Sequence, residues 1–169
     1  MNTFSQFIRG LFSHDLLVEL SEKKIVIRMM GKAGKEFILE YEPYLAIETI
    51  GKKSIVKCVG TEAKHQSGKY IDVINPFCHP RSFVADFYVA EKLLQHGLNQ
   101  LQTSKFFKPA PRIIMHQLEK TEGGLTNIEE RVLRELALGS GARDVVIYVG
   151  AKLDSEKETF DEVKRKIAA

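Results

Sequence analysis

The chain has 169 residues, of which 44% are hydrophobic and 28% are charged, and its formal net charge is +3. This length and balance predict one soluble globular domain with an ordinary core. The 25 basic and 22 acidic residues are too nearly matched and too evenly interspersed to predict a nucleic-acid partner. No apolar run approaches the roughly 20 residues that a transmembrane helix needs.

The first twelve residues combine an apolar stripe with little charge. At helical spacing one face carries five apolar side chains, three of them aromatic: Phe4, Phe7, Ile8, Leu11 and Phe12. Segment 1–13 therefore either packs as a terminal helix on its own domain or lies in a membrane interface with its apolar face among acyl chains. Since Arg9 is its one cationic side chain, firm lipid binding would need several copies on one assembly.

The next sixty residues predict two groups of strands. Short polar breaks separate β-rich apolar runs, with strands expected at about 15–20, 24–30 and 36–42, then at 44–50, 54–59 and 70–74. Residues 61–69 are expected to form a small helix or loop, and residues 75–81, which hold two prolines, form a connector.

Both cysteines lie in this region, and neither has a paired spacing. Cys78 is followed by His79, but the five histidines of the chain are scattered and form no ligand cluster. We therefore expect buried or half-buried thiols, no metal site, and a reduced, cytoplasmic compartment.

Helices and strands alternate in the second half. Apolar residues at steps of three and four predict a helix at about 82–101, and apolar runs predict strands at about 112–118 and 144–149. Between those strands Thr126 is a good N-cap, and Glu129, three residues later, completes a capping box. That helix is expected to end near residue 138, before Gly-Ser-Gly.

The tail predicts a last, charged helix at about 155–167. Phe160, Val163 and Ile167 fall on one of its faces, which either packs on the domain or remains on a loose solvated helix. The order of elements predicts an α/β fold, in which crossover helices flank a mixed sheet.

Six short motifs, taken together, resemble the bacterial actin-like MreB rod-shape family. They are GLFSHDLLVEL, VGTEAKHQSGK, VADFYVAEKLLQH, KPAPR, TNIEERVLRE and GSGAR, beginning at residues 10, 59, 84, 108, 126 and 139. The resemblance covers residues 1 to about 150 and implies an actin-like ATPase (RNase-H-like) lobe. That lobe has a mixed five-stranded sheet, crossover helices and a small inserted subdomain.

The resemblance also sets the expected domain boundaries. Residues 14–169 form a single lobe with the insert at about 45–80, and the family's second lobe has no counterpart. In the family the end of the chain returns to pack a helix on the first lobe, and the tail helix would fill that place.

The first hairpin resembles an altered nucleotide-binding loop. In the family this hairpin brings backbone N–H groups to nucleotide phosphates, and an aspartate helps to hold hydrated magnesium. Here Glu19 stands at the aspartate position, Ser21 and Glu22 replace a glycine and a threonine, and Lys23 follows. A carboxylate about 4 Å from a phosphate charge costs about 4 kcal/mol at an effective dielectric of 20, or roughly a thousandfold in affinity. We therefore expect ATP and magnesium binding to be lost.

Glu129 aligns with the glutamate that resembles the family's water-activating residue. A carboxylate orients water for hydrolysis only against a bound phosphate, so Glu129 is expected to be a degenerate remnant that caps its helix. Asp86, Glu91 and Arg131 also match motif positions, and we expect them to serve the helix surface and sheet packing.

The resemblance implies a non-catalytic actin-like protein that contacts MreB-type filaments or itself in bacterial cell-shape maintenance. It would be cytoplasmic and peripheral to the inner membrane, with lipid as a further partner. Two alternatives remain open: a weak ATP-binding or ATPase switch, and an actin-like lobe repurposed for an unrelated complex, because fold does not fix function.

Overall fold

The computed structural model describes residues 15–31, 38–101 and 110–168. The expected N-terminal segment 1–13 lies outside these ranges. The described elements are β1 (Asp15–Leu20), β2 (Ile25–Met29), β3 (Ile38–Tyr41), β4 (Leu45–Ile50), β5 (Lys53–Val59), α1 (Thr61–Lys64), β6 (Ile71–Ile74), α2 (Phe87–Gln100), β7 (Arg112–Gln117), α3 (Asn127–Gly139), β8 (Asp144–Tyr148) and α4 (Phe160–Ala168).

The main sheet has five strands in the order β3-β2-β1-β7-β8. β1, β2 and β3 form an antiparallel meander, whereas β7 pairs parallel with β1 and β8 pairs parallel with β7. The predicted mixed five-stranded sheet is therefore confirmed. Since β1 and β7 run parallel, their carboxyl ends meet at one edge of the sheet, where Leu20 lies opposite Gln117.

A second sheet of three strands, in the order β5-β4-β6, lies in the insert between β3 and α2. Both of its pairings are antiparallel, and the short helix α1 contacts β4 and β5. Its strands span residues 45–74. The connector that follows leads back to the main sheet.

The two faces of the main sheet carry different layers. Alternate residues of β1 point to opposite faces, so Leu16 and Val18 join the larger core with α2 and α3, while Leu17 joins a smaller core beneath α4. In that smaller core Phe160 and Val163 are fully buried. The tail helix therefore covers apolar sheet instead of standing loose in solvent.

The tail helix differs from the prediction in its start and in the extent of its packed face. It begins at Phe160 and not near residue 155, because Thr159 Oγ1 accepts from the Glu162 backbone N–H while the Glu162 carboxylate accepts from the Thr159 N–H. Ile167, the third residue of the expected stripe, is 50% exposed. The packed face is thus only one turn long.

The start of α2 was predicted about five residues too early. Asp86 is the N-cap, and its side chain accepts from the Val89 backbone N–H at 3.0 Å. Phe83 was expected inside the helix, but it precedes it and stacks on Phe77 with ring centroids 5.0 Å apart. Phe83 is still a core residue, because it is 2% exposed.

The cysteines are more accessible than predicted. Cys58 is partly buried, but Cys78 is exposed on the connector, so the expectation of a buried or half-buried thiol was wrong for Cys78. The Cys78 thiol contacts the Asn75 carbonyl at 3.3 Å.

Candidate functional site

The turn between β1 and β2 is closed by its own serine. The backbone N–H and the hydroxyl of Ser21 both donate to the Lys24 carbonyl at 3.0 Å, and the Lys24 N–H donates to Ser21 Oγ at 3.1 Å. Ser21 is 7% exposed. The Ser21 side chain therefore fills the inside of the turn.

A carboxylate from another strand end caps the turn. The backbone N–H of Glu22 donates to Glu119 Oε2 at 2.6 Å. Glu119 lies two residues after the end of β7, and the intervening Leu118 donates its backbone N–H to the Leu20 carbonyl at 2.9 Å. The backbone N–H of this turn is thus already hydrogen-bonded to an acidic side chain of the protein.

Lys120 balances the acidic groups at this edge. Its Nζ lies 2.6 Å from Glu22 Oε1 and donates to the carbonyls of His79 at 2.6 Å and Phe77 at 3.4 Å. Lys120 is also the described non-glycine residue with a positive φ, at 56°, a conformation that disfavours side chains. The ammonium therefore joins the turn to the connector after the insert.

Asn75 makes a second link between the turn and the connector. Its Nδ2 donates to the Glu22 carbonyl at 2.8 Å, while its Oδ1 accepts from the Phe77 backbone N–H at 2.9 Å. The carbonyl, amide and carboxylate of Glu22 are therefore all bound by other parts of the chain.

Glu19 lies just inside the turn and is 2% exposed. Its Oε2 accepts from Arg28 Nε at 3.1 Å, and its Oε1 has no hydrogen-bond partner in the described part of the chain. In the strand register Glu19 lies opposite Val26 on one side and His116 on the other. The carboxylate is thus enclosed within the sheet and already neutralised by Arg28.

His116 is the buried neighbour of Glu19 on β7 and is 1% exposed. Its Nε2 lies 3.1 Å from the Gly150 carbonyl, and its ring packs edge-on against Tyr148 at 4.8 Å. Burial lowers the pKa of His116, and the Gly150 carbonyl and Glu19 only partly oppose that shift. The ring is therefore neutral at neutral pH, with its proton on Nε2.

The other two expected site residues differ in their surroundings. Lys23 is exposed at the tip of the turn. Glu129 forms the predicted capping box, which is confirmed: its Oε2 accepts from the Thr126 N–H and hydroxyl at 2.8 Å each, and its own N–H donates to Thr126 Oγ1 at 3.3 Å. Its carboxylate is thus engaged with its own cap.

Sequence reasoning missed Glu119, Lys120, Asn75 and His116. One signal was available for the first two, because they lie two and three residues after a strand that runs parallel to β1, and the carboxyl ends of adjacent parallel strands form the usual ligand edge. Nothing local distinguishes Asn75, which precedes a proline in the connector.

Two further findings bear on ligands and membranes. Within residues 15–31, 38–101 and 110–168, no group of three or more His, Cys, Asp or Glu side chains is arranged to hold a metal ion. In the same ranges, no helix is both long and apolar enough to cross a membrane. Phe4, Phe7, Ile8, Leu11 and Phe12, the candidate lipid contacts, lie outside the described residues.

Comparison with known proteins gives one consistent result. The family model described as MreB/Mbl protein matches residues 13–153. The cell shape-determining protein MreB of Pasteurella multocida is 34% identical over 158 residues, which cover 86% of this chain and 42% of the relative. MreB of Escherichia coli strain K12 is 33% identical over 144 residues, covering 82% and 39%.

The fold has solved counterparts as well. The crystal structure of MreB5 of Spiroplasma citri bound to ADP superimposes with a TM-score of 0.59 at 17% identity, covering 80% of this chain and 38% of that one. The chain thus spans about two-fifths of the length of the relatives it matches. The actin-like fold expected from the motifs is confirmed.

Proposed function

Because the chain belongs to the MreB/Mbl protein family, we propose that it is a non-catalytic actin-like protein. It acts by contact with MreB-type filaments or with further copies of itself, in bacterial cell-shape maintenance. Its place is the cytoplasm, peripheral to the inner membrane. The observation that carries the non-catalytic part is the Glu119 carboxylate bound to the Glu22 amide at 2.6 Å.

A triphosphate would meet two obstacles at this turn. The resemblance to the family places phosphate oxygens at the backbone amides of the first hairpin, yet the Glu22 amide is already bound to Glu119. An incoming phosphate has to displace one carboxylate and lie beside a second, that of Glu22. At about 4 Å and an effective dielectric of 20 each carboxylate opposes it by about 4 kcal/mol, and for Glu22, whose side chain is 40% exposed, the repulsion is smaller because solvent screens it.

Lys120, the cation that pairs with Glu22, does not relieve this repulsion. Lys120 is committed to Glu22 and to the carbonyls of Phe77 and His79. Moving it to a phosphate leaves Glu22 without its counterion and two carbonyls without a donor. The turn is therefore a closed network in which acceptor and donor groups already satisfy one another.

The residues present do not fit magnesium either. Hydrated Mg²⁺ keeps several waters and needs an accessible carboxylate, whereas Glu19 is 2% exposed and paired with Arg28. Glu129, the remaining family carboxylate, is bound to Thr126. We infer that neither ATP nor its metal is a cofactor of this chain and that no hydrolysis step runs through these residues.

Filament contact is tested by co-sedimentation. The full chain is mixed with polymerised MreB of Escherichia coli and centrifuged, with the chain alone as the control. We expect it to pellet with the filaments and to stay in the supernatant without them. If it stays in the supernatant at every filament concentration, the filament role is wrong and a lobe repurposed for another complex becomes the better account.

Membrane contact needs a separate assay with lipid vesicles. The full chain is compared with a truncation lacking residues 1–12, on vesicles that contain anionic lipid. Residues 1–12 carry five apolar side chains at helical spacing, so the full chain should co-sediment more strongly than the truncation. Equal sedimentation of the two proteins would remove the membrane part of the proposal.

A further inference from the structure

The insert is buried where it joins the larger core and exposed at its opposite end. Leu45 and Ile47 of β4 belong to that core, whereas Ile50, the last residue of the strand, is 61% exposed. A two-residue turn at 51–52 connects β4 to β5, and Gly51 has the positive φ of 63° that favours glycine there. The hairpin turn is therefore the free end of the three-stranded sheet.

Large apolar side chains are exposed on both faces of this free end. Ile50 and Ile55 lie on one face, because the β4 residue opposite Ile55 is Glu48, two positions before Ile50. Tyr70 lies on the other face, because its carbonyl accepts the backbone N–H of Thr49, the residue between those two. Ile55 and Tyr70 are each more than half exposed. A rigid protein surface that covers one face leaves the other in water, whereas a fluid layer that the free end enters covers both.

Three lysines surround these apolar side chains. Lys52 lies in the turn and Lys53 is the first residue of β5. Lys69 directly precedes Tyr70, and its Nζ lies 5.4 Å from the centroid of the tyrosine ring. None of the three lysines has an ion-pair partner in the described part of the chain. Their charges are therefore available to an anionic ligand.

The acidic groups of the insert do not cancel this charge. Glu48, on the face of Ile50, is already paired with Lys57 at 3.1 Å. Asp72 lies opposite Ile47 and is thus further from the turn than Tyr70. Residues 45–74 carry five lysines and three acidic side chains, so the formal charge of the insert is +2.

We propose that the free end of the insert is a binding site for an anionic lipid surface. We call this site the insert tip, and it consists of Ile50, Lys52, Lys53, Ile55, Lys69 and Tyr70. The isoleucines enter the boundary between headgroups and acyl chains, and the tyrosine, an apolar ring with a polar hydroxyl, lies at headgroup level. The lysine ammonium groups contact lipid phosphates. The inference goes beyond the proposed function, because it assigns a lipid site separate from residues 1–12 and requires no filament.

One insert tip should bind lipid weakly and reversibly. Each lysine close to an anionic surface strengthens partitioning about fivefold. This attraction falls off within a Debye length, about 8 Å at physiological ionic strength. Vesicles of phosphatidylcholine alone, or high salt, should therefore remove most of the binding. Several copies on one assembly would reinforce one another.

A tryptophan reporter tests the insert tip directly, because the sequence contains no tryptophan. The full chain carrying Ile50→Trp is mixed with vesicles of phosphatidylglycerol and phosphatidylcholine. We expect its emission to move to shorter wavelength and to be quenched by lipids brominated in their acyl chains. The matched control is Ile38→Trp, since Ile38 on β3 is 56% exposed but belongs to the main sheet. Its emission should change in neither way.

Charge reversal tests the lysines in the same reporter. Lys52→Glu with Lys53→Glu should weaken partitioning into the anionic vesicles by at least about tenfold. Lys152→Glu with Lys157→Glu changes the net charge equally at exposed positions outside the insert, and it should weaken partitioning far less. Equal losses for the two double variants would show that only net charge matters, and would overturn the site.

The reporter also separates the insert tip from residues 1–12. If the Ile50→Trp chain sediments with vesicles but its tryptophan is neither shifted nor quenched, the insert tip is not a lipid site, although the membrane part of the proposed function stands. If the tryptophan is quenched while loss of residues 1–12 changes nothing, the insert tip is supported and the role of residues 1–12 is wrong.

Other occupants of the insert tip give different signals. A shift to shorter wavelength that rises with protein concentration and needs no vesicles indicates a second copy at this end, and overturns the proposal. The proposal also fails if tryptophans at positions 38 and 50 are quenched equally, or if neither responds to any vesicle.

Discussion

The backbone N–H of Glu22 donates to the carboxylate of Glu119, 97 residues later in the chain, over 2.6 Å. Two acidic residues therefore meet at the first hairpin, and one of them acts as the anion that the backbone amide binds. The bond exists because β7 runs parallel to β1 and delivers Glu119 to the same edge. The amide, carbonyl and carboxylate of Glu22 are thus all bound by other groups of the chain.

Glu119→Ala should destabilise the fold by about 1–3 kcal/mol, because a partly buried amide loses its charged acceptor. Glu119→Gln keeps an acceptor oxygen and should cost less. The free energy of unfolding in urea measures both variants. Glu122→Ala, on the same loop and exposed, is the control; equal stability of the two alanine variants would show that the bond contributes nothing.

Lys120 stabilises the fold through its contact with Glu22 and destabilises it through its backbone conformation. Two substitutions separate these effects. The positive φ of 56° at Lys120 costs a residue with a side chain about 1 kcal/mol relative to glycine. Both Lys120→Ala and Lys120→Gly remove the contact to Glu22, but the glycine variant should be about 1 kcal/mol more stable than the alanine variant. Thermal or urea unfolding gives the difference, and equal stability would mean that the backbone is not held in this conformation in solution.

Local sequence patterns predicted the contacts of the site whose partners lie within a few residues of one another. Thr126 and Glu129 form a capping box because both partners belong to one helical turn. The hairpin at residues 21–24 followed from two alternating apolar runs. Glu119 was not predictable in this way, because its partner is 97 residues away and the contact depends on which strands pair.

Where two sequence patterns predict different starts for a helix, tertiary packing determines which start forms. Phe83 and Phe87 are both at helical spacing, so the apolar stripe favoured a start near residue 82. Asp86 caps the helix instead, and Phe83 gains a stacked partner in Phe77. Ile167 shows the same limit, since its spacing matches Phe160 and Val163 but its side chain remains half exposed.

The tail helix should contribute strongly to stability through one side chain. Phe160 is fully buried against the sheet and its ring lies 4.4 Å from the Arg112 guanidinium. Phe160→Ala should therefore cost about 3–5 kcal/mol. Ile167→Ala is the matched control on the same helix and should cost less than about 1 kcal/mol, because Ile167 is half exposed. Similar losses for both variants in urea unfolding would contradict the packing of α4.

His116 should make the protein less stable in mild acid. Burial holds its pKa below the ordinary 6.5, so below that pH the unfolded chain binds a proton that the folded chain does not. Stability is then full above about pH 6.5 and falls as the pH drops towards the lower folded pKa. The charged or titratable groups around the ring are Glu19, Tyr148 and Lys152.

Urea unfolding at several pH values between about 5 and 7.5 measures this loss. The variant His116→Gln should have a flatter dependence than the wild type. Burial also lowers the pKa of His96, so His96→Gln serves as a comparison that keeps the His116 contribution. An unchanged slope in the His116 variant would show that its imidazole is not held neutral by the fold.

Isothermal titration calorimetry of the full chain with Mg-ATP is the most direct test of the central claim, that the first hairpin has no place for a triphosphate. We predict no saturable binding up to about 1 mM nucleotide, which corresponds to a binding free energy weaker than about −4 kcal/mol. Saturable binding at micromolar nucleotide would show that Glu119 yields its place at the Glu22 amide, and would contradict the account.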